Sequence, residues 1–221
     1  MPRFAPLSVA ALALLFTIQP LAAQSKKKQP KEGMKKKQFH EHLYLEYPEE
    51  KGKWFDLDKR GLGIKYKDEG VVLLFWRNFW DAPSGGTRGV LKLNGKDVPT
   101  QDTSTVVKEF MKMYSEGFKK VYKTGKNKKF RCKAGKGVYS EIMASEPDSK
   151  EARDLMQGFT ATAAGVDASR TFNPKTTKVH IRFTTIKQKP GVQFIMVMAN
   201  DDVLKKHHKE IDKYLKRFTE E

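Results

Sequence analysis

Asp56, Asp58 and Gly61, in the run "DLDKRG", stand at positions one, three and six of a calcium-binding loop. Such a loop also needs an oxygen ligand at position five and a bidentate Glu at position twelve. Arg60 and Lys67 fill those places, and two cations there exclude the site. The histidines are His40, His42, His180, His207 and His208. A zinc-binding helix sets two histidines four apart around a carboxylate base. No pair has that spacing, so no metal site is expected. A Gly-x-Ser-x-Gly elbow, a phosphate-cradling glycine loop and a dinucleotide fingerprint are all missing. "SGGTRG", residues 84 to 89, lacks the lysine and reads as a flexible turn. A hydrolase made of scattered groups would need a base such as His180 beside a carboxylate such as Glu141, and sequence position alone does not join them. No catalytic residue and no cofactor is assigned.

Two other features could bind rather than react. In "FWRNFW", residues 75 to 80, four of six side chains are aromatic. Strand alternation puts Trp76, Asn78 and Trp80 on one face and Phe75, Arg77 and Phe79 on the other. If the tryptophan face is open, it is a candidate platform for a sugar ring or an apolar ligand; if helices or a loop cover it, it is core. The second feature is charge. The chain has 43 basic and 26 acidic residues, a formal net charge of +17. The excess concentrates in "KTGKNKKFRCKAGK", residues 123 to 136, and on the polar side of the last helix. Candidate anion-binding residues are Lys129, Arg131 and Lys133 in the first and Lys209, Lys213 and Arg217 in the second. If the two segments adjoin, they present a basic face to polyanions; if not, they are solvated surface. Cys132 alternates with Lys129, Arg131 and Lys133 in the company of Phe130 and Ala134, so it reads as a buried small hydrophobe rather than a reactive thiol.

Two helices must carry much of the packing. Val107, Phe110, Met111, Tyr114, Phe118 and Val121 recur at helical spacing, which predicts a helix over about 103–124 with Asp102, Thr103 or Ser104 at its start. Leu204, His207, Ile211, Tyr214, Leu215 and Phe218 predict another over 202–218, with acids at its start and cations at its end to suit the dipole. Strand patterns fill most of the rest: 61–66, 71–80, 89–98 around an Asn-Gly turn, 128–134 with 137–144, and a hairpin over 178–199 turning at Pro190-Gly191. In its second arm both faces are apolar, so the sheet needs cover on both sides. The segment 145–177 reads as a long excursion with a short helix at 149–157. Short connections make the sheet antiparallel. The expected fold class is α+β: an antiparallel sheet packed by two amphipathic helices, an α/β/α-like sandwich.

Residues 1–23 read as a secretory signal peptide, with Arg3 in the n-region, "VAALALLF" as the apolar core and small residues before a cut after Ala23. Residues 24–40 then read as a disordered lysine-rich linker: from 24 to 38 it has seven lysines, one acid and little to bury. Residues 41–221 read as a single globular domain. One cysteine cannot form an internal bridge, so the core must hold it.

The order of strands, the helix after "PTQDTST", "FRCKAGKGVYSEIMA", the hairpin "VHIRFTTIKQKPGVQFIMVMA" and a final helix ending "YLKRF" resembles the PsbP-like fold, an antiparallel sheet between helices, across about residues 43–218. The family serves different roles, so the resemblance implies a fold and transfers no functional residue. The expectation is an exported, secreted or periplasmic, non-catalytic binding or accessory protein that meets an anionic polysaccharide or envelope surface, with no specific nucleic acid and no stable membrane insertion after cleavage. The alternative is a secreted enzyme with a pocket near Trp76, Trp80 and the 145–177 loop.

Overall fold

A computed structural model describes residues 33–40, 42–58, 61–67, 69–77, 89–168, 170–187 and 192–221. The signal-peptide reading, residues 24–32 of the linker, and Asn78 and Trp80 fall outside them.

The described residues begin with β1 (Met34–His40) and β2 (Leu43–Pro48), an antiparallel pair. This corrects the expected linker, because residues 34–40 are a strand. Phe39 is the reason: it buries against Phe218 with ring centroids 5.2 Å apart, and Lys36 and Lys37 find acids in Glu221 and Asp56. Next come β3 (Trp54–Asp58), β4 (Gly61–Tyr66) and β5 (Gly70–Arg77), then the small hairpin of β6 (Val90–Leu93) and β7 (Lys96–Pro99). Asn94 and Gly95 turn that hairpin with φ of 51° and 75°, as an Asn-Gly turn requires.

Helix α1 (Thr103–Glu116) starts at Asp102, whose carboxylate accepts the Thr105 N–H at 3.1 Å. It ends at Gly117, eight residues short of the expected boundary. A β-carbon there would lie 2.8 Å from Ser149 Oγ, so only glycine lets the next helix start this close. After it the chain runs extended as β8 (Phe118–Thr124) along the open edge of a later strand, and Val121 lies on that strand, exposed, not on a helical stripe. Strands β9 (Lys128–Cys132) and β10 (Gly135–Pro147) follow. The expected excursion then begins with a full helix, α2 (Lys150–Val166), capped by Ser149 and burying Ala152, Met156, Phe159 and Ala163. Its small residues hid it from a reading based on large apolar spacing. The predicted hairpin forms as β11 (Val179–Lys187) and β12 (Val192–Asn200), and the chain ends with α3 (Asp201–Leu215) and β13 (Phe218–Glu220).

Strands β3, β4, β5, β12, β11, β10 and β8 lie side by side in that order, and β9 also pairs with β10. Every pairing is antiparallel. Alternation divides the sheet as predicted: Val192, Phe194, Met196 and Met198 pack with α1, α2 and the β6–β7 hairpin, while Ile195, Val197 and Ala199 pack with α3 and the small sheet of β1, β2 and β13. The fold is α+β; among the described residues the expected short helix at 149–157 is a full third helix beside the two amphipathic ones, and a second sheet shares one face with α3.

Candidate functional site

Construction starts with Arg182. It lies mid-strand in β11, on the face toward α3, and is 4 % exposed. A buried guanidinium needs partners for its charge and its donors. Asp212 of α3 accepts from Nη1. The planar group stacks 3.7 Å over the Tyr139 ring of β10, with the Phe130 ring of β9 5.7 Å away. Glu141 Oε1 lies 3.9 Å from it. One side chain thus ties β9, β10, β11 and α3 together. Beside it, His180 Nε2 faces Glu141 Oε2 at 3.5 Å, buried and without a hydrogen bond. The base and carboxylate whose proximity the sequence left open are therefore neighbours. Burial works to raise the Glu141 carboxyl, but His180, Arg182 and Lys128 outweigh it and hold it below the ordinary carboxylate range. A carboxylate held that low is a weak general base; its chemistry here is to balance charge.

Above Arg182 the two basic segments meet. The Lys133 N–H donates to the Lys216 carbonyl at 3.4 Å, and the Ala134 N–H to the Phe218 carbonyl at 2.7 Å. The turn between β9 and β10 is thereby fastened to the C-terminal end of α3. Phe130, Cys132 and Ala134 point inward, and burial raises the Cys132 thiol, as expected of a packed cysteine. Lys129, Arg131 and Lys133 stay exposed. On α3, Lys205, Lys209, Lys213 and Lys216 follow one another along the exposed side. Five of the six anion-binding candidates therefore lie on the two joined segments. Lys133 already has Glu46 at 2.9 Å. Arg217 departs from the group: it is half-buried, directed at Met34 Sδ and lying over the Tyr214 ring.

Of the expected tryptophan platform, Trp76 is described and is not an open surface; Asn78 and Trp80 lie outside the described residues. Trp76 is 7 % exposed, donates its indole N–H to Gln193 at 2.8 Å and stacks on His40 with centroids 4.6 Å apart. The small sheet and α3 cover that face, so Trp76 is core. The aromatic groove that does exist is elsewhere: about 450 Å³ between β1, β2 and β3, floored by Tyr47, Trp54 and Phe55. Of the charges that line it, Lys35 pairs with Glu49, Asp56 with Lys37 and Glu50 with Lys53.

A second polar network lies where α3 crosses β3 and β4. Lys53 Nζ reaches Glu210 and Glu50 at 2.8 Å each and Tyr214 at 3.3 Å. Tyr66 and Tyr214 both donate to Glu210, and His207 contacts Glu69 at 2.5 Å. Burial opposes the charge on Lys53, but Glu210, Glu50 and Tyr214 overcome it and raise its pKa. Burial raises Tyr66, and Glu210 adds to that. Tyr214 is pushed up to about 12 by burial and Glu210. Burial would raise Glu210, but Lys53 and the two tyrosines lower it. Each group is driven further into its ordinary charge state, opposite to what a group poised for proton transfer near neutral pH needs.

The signal that could have exposed Arg182 is in the sequence. In "VHIRFTT" the apolar residues 179, 181 and 183 share one face, which puts His180 and Arg182 on the face that α3 must cover. That arrangement demands acids from the covering elements.

A scan against protein-family models and a search of curated proteins find no match. Among solved structures, the fold is similar to the solution structure of cyanobacterial PsbP from Synechocystis, with a TM-score of 0.40 and 12 % sequence identity over 92 % of this chain and 100 % of that one. It is a weak PsbP-like resemblance of fold, and no function follows from it.

Proposed function

We propose that this is an exported, non-catalytic binding or accessory protein that holds an anionic polymer of the cell envelope against the ridge formed by the β9–β10 turn and α3. The observation that carries the reading is the backbone junction of Lys133 with Lys216 and Ala134 with Phe218, which makes one surface of two basic segments. Lys129, Arg131, Lys209 and Lys213 are exposed and make no ion pair with a described residue. Uncompensated cations on a fixed scaffold attract polyanions from a distance and release them as salt rises. The electrostatics of both polar networks support binding over catalysis, since their carboxylates are held low and Lys53 high.

The test is retention on an anionic resin and on isolated envelopes across a salt series. The protein elutes at a characteristic salt concentration, and the variant K129E/R131E/K209E/K213E elutes markedly earlier with its thermal unfolding unchanged. Retention that ignores salt, or that the four reversals leave intact, overturns the reading.

A further inference from the structure

The outer edge of the large sheet carries a second binding feature, separate from the ridge. Among the described residues strand β8 pairs only with β10, and its other side is open. An open edge presents a row of backbone N–H and C=O groups that another strand can satisfy. Residues 119–124 are all exposed, and Val121 and Tyr122, at 38 % and 47 %, are the exposed large apolar side chains among the described residues. The charge is one-sided too: residues 118–134 contain eight cations and no acid. Three of these are engaged, Lys119 with Asp148 at 3.5 Å, Lys120 with Glu146 at 2.5 Å and Lys133 with Glu46 at 2.9 Å. Lys123 has no carboxylate partner among the described residues, and neither does Lys178, whose ammonium sits 4.5 Å over the Tyr122 ring.

We propose that β8 is a docking edge for an extended acidic polypeptide segment, which adds to the sheet as a strand beside Lys119–Thr124. A polypeptide fits better than a polysaccharide because only another backbone matches the alternating donors and acceptors of a strand edge. The segment is acidic because Lys123 and Lys178 stand uncompensated beside that edge, on the face where Lys123 pairs with Met143. Val121 and Tyr122 give its apolar side chains a place to rest, which a purely protective row of lysines would not supply. The register irregularity between Met143 and Ala144 places one extra residue, Tyr122, in β8, so the regular alternation that an added strand meets runs in two stretches on either side of it.

The test uses the whole protein, isotope-labelled, and a fluorescent ten-residue peptide of alternating Glu and Val. Binding moves the backbone amide signals of residues 118–124. The same peptide N-methylated throughout keeps its charge, loses its donors and binds at least about ten-fold more weakly, as expected for losing a few hydrogen bonds. K123E/K178E weakens the unmethylated peptide about five-fold, in the range of two exposed ion pairs. Equal binding of the methylated peptide overturns the proposal, because charge alone then suffices. Shifts confined to residues 128–136 and α3 also overturn it, leaving the ridge reading intact. No binding, with the edge amides unmoved, means the lysines and the irregular pairing only shield the edge, and the proposal fails.

Discussion

The side-chain oxygen of Asn200 lies 2.2 Å from where a β-carbon on Gly70 would stand. Asn200 does not cap α3 with its side chain, although it is the residue before it. Its amide reaches across instead: Oδ1 accepts the Val71 N–H at 3.1 Å, and Nδ2 donates to the Glu69 carbonyl at 3.0 Å. Gly70 has a φ of +133°, which a side chain rarely tolerates. Gly70→Ala should therefore cost about 3 kcal/mol through strain and displacement of Asn200, lowering the melting temperature by roughly 6–12 °C for a domain of this size. Asn200→Ala strands one buried donor and one acceptor. In that background Gly70→Ala should cost clearly less, since its clash is gone. Calorimetry of the two single variants and the double variant checks this; additive costs would show that the two residues do not meet.

Trp76 is expected to behave as core. Trp76→Ala should destabilise by about 3–5 kcal/mol, and Trp76→Phe by less but measurably, because Gln193 loses its donor. Oligosaccharides added to the native protein should leave the Trp76 contribution to fluorescence unchanged. Quenching that saturates with sugar and disappears in Trp76→Phe would contradict a buried indole.

Period-two patterns were the legible part of this fold. The two apolar faces of residues 192–199 and the shared face of Val179, Ile181 and Phe183 were correctly separated because strand alternation is local. Helix ends were less legible. Gly117 stands at the end of α1, where a β-carbon would crowd Ser149, thirty-two residues away in sequence. Phe118 and Phe218 continue their helical stripes by number, yet both begin strands, and each joins a core that other elements complete. The basic segments could be named from composition, but their contact depends on two backbone hydrogen bonds that no residue type announces. The burial of Trp76 was hidden for a related reason: its cover comes from His40, in a stretch whose lysines pointed to disorder.

Acid should reveal the Arg182 cluster. The Glu141 carboxyl is held below its ordinary value in the folded state, so it contributes stability above the unfolded carboxylate range, and that contribution is lost as pH falls through the folded value. Glu141→Gln removes the titrating group. At pH 6 the variant should be less stable than the parent by about 1–3 kcal/mol, because the buried Arg182 loses a counter-charge. The gap should close as pH falls below the ordinary carboxylate range and the parent protonates. Urea unfolding midpoints measured across an acid series follow it. A gap that stays constant or widens on acidification would mean Glu141 does not balance Arg182.

Alkali examines the other network. Burial and Glu210 push Tyr214 up to about 12, and Tyr66 rises for the same reasons. A raised folded pKa gives stability that is fully present below the unfolded tyrosine value near 10 and is lost as pH rises through the folded value. Phenolate absorbance near 295 nm should therefore show two tyrosines that remain protonated after the exposed ones have ionised, with unfolding accompanying their titration. Glu210→Gln removes the negative charge that both phenols face, so the Tyr214 midpoint should fall toward 10 while remaining above it, since burial is the larger cause. Lys53 would then lose one of its two carboxylate partners, and the variant should unfold at lower pH than the parent. If Glu210 were instead a general base, these tyrosines would titrate within the ordinary range and Glu210→Gln would leave alkaline stability unchanged. A late tyrosine titration that moves with Glu210 marks the network as a clamp between α3 and the sheet, holding in place the helix that carries half of the basic ridge.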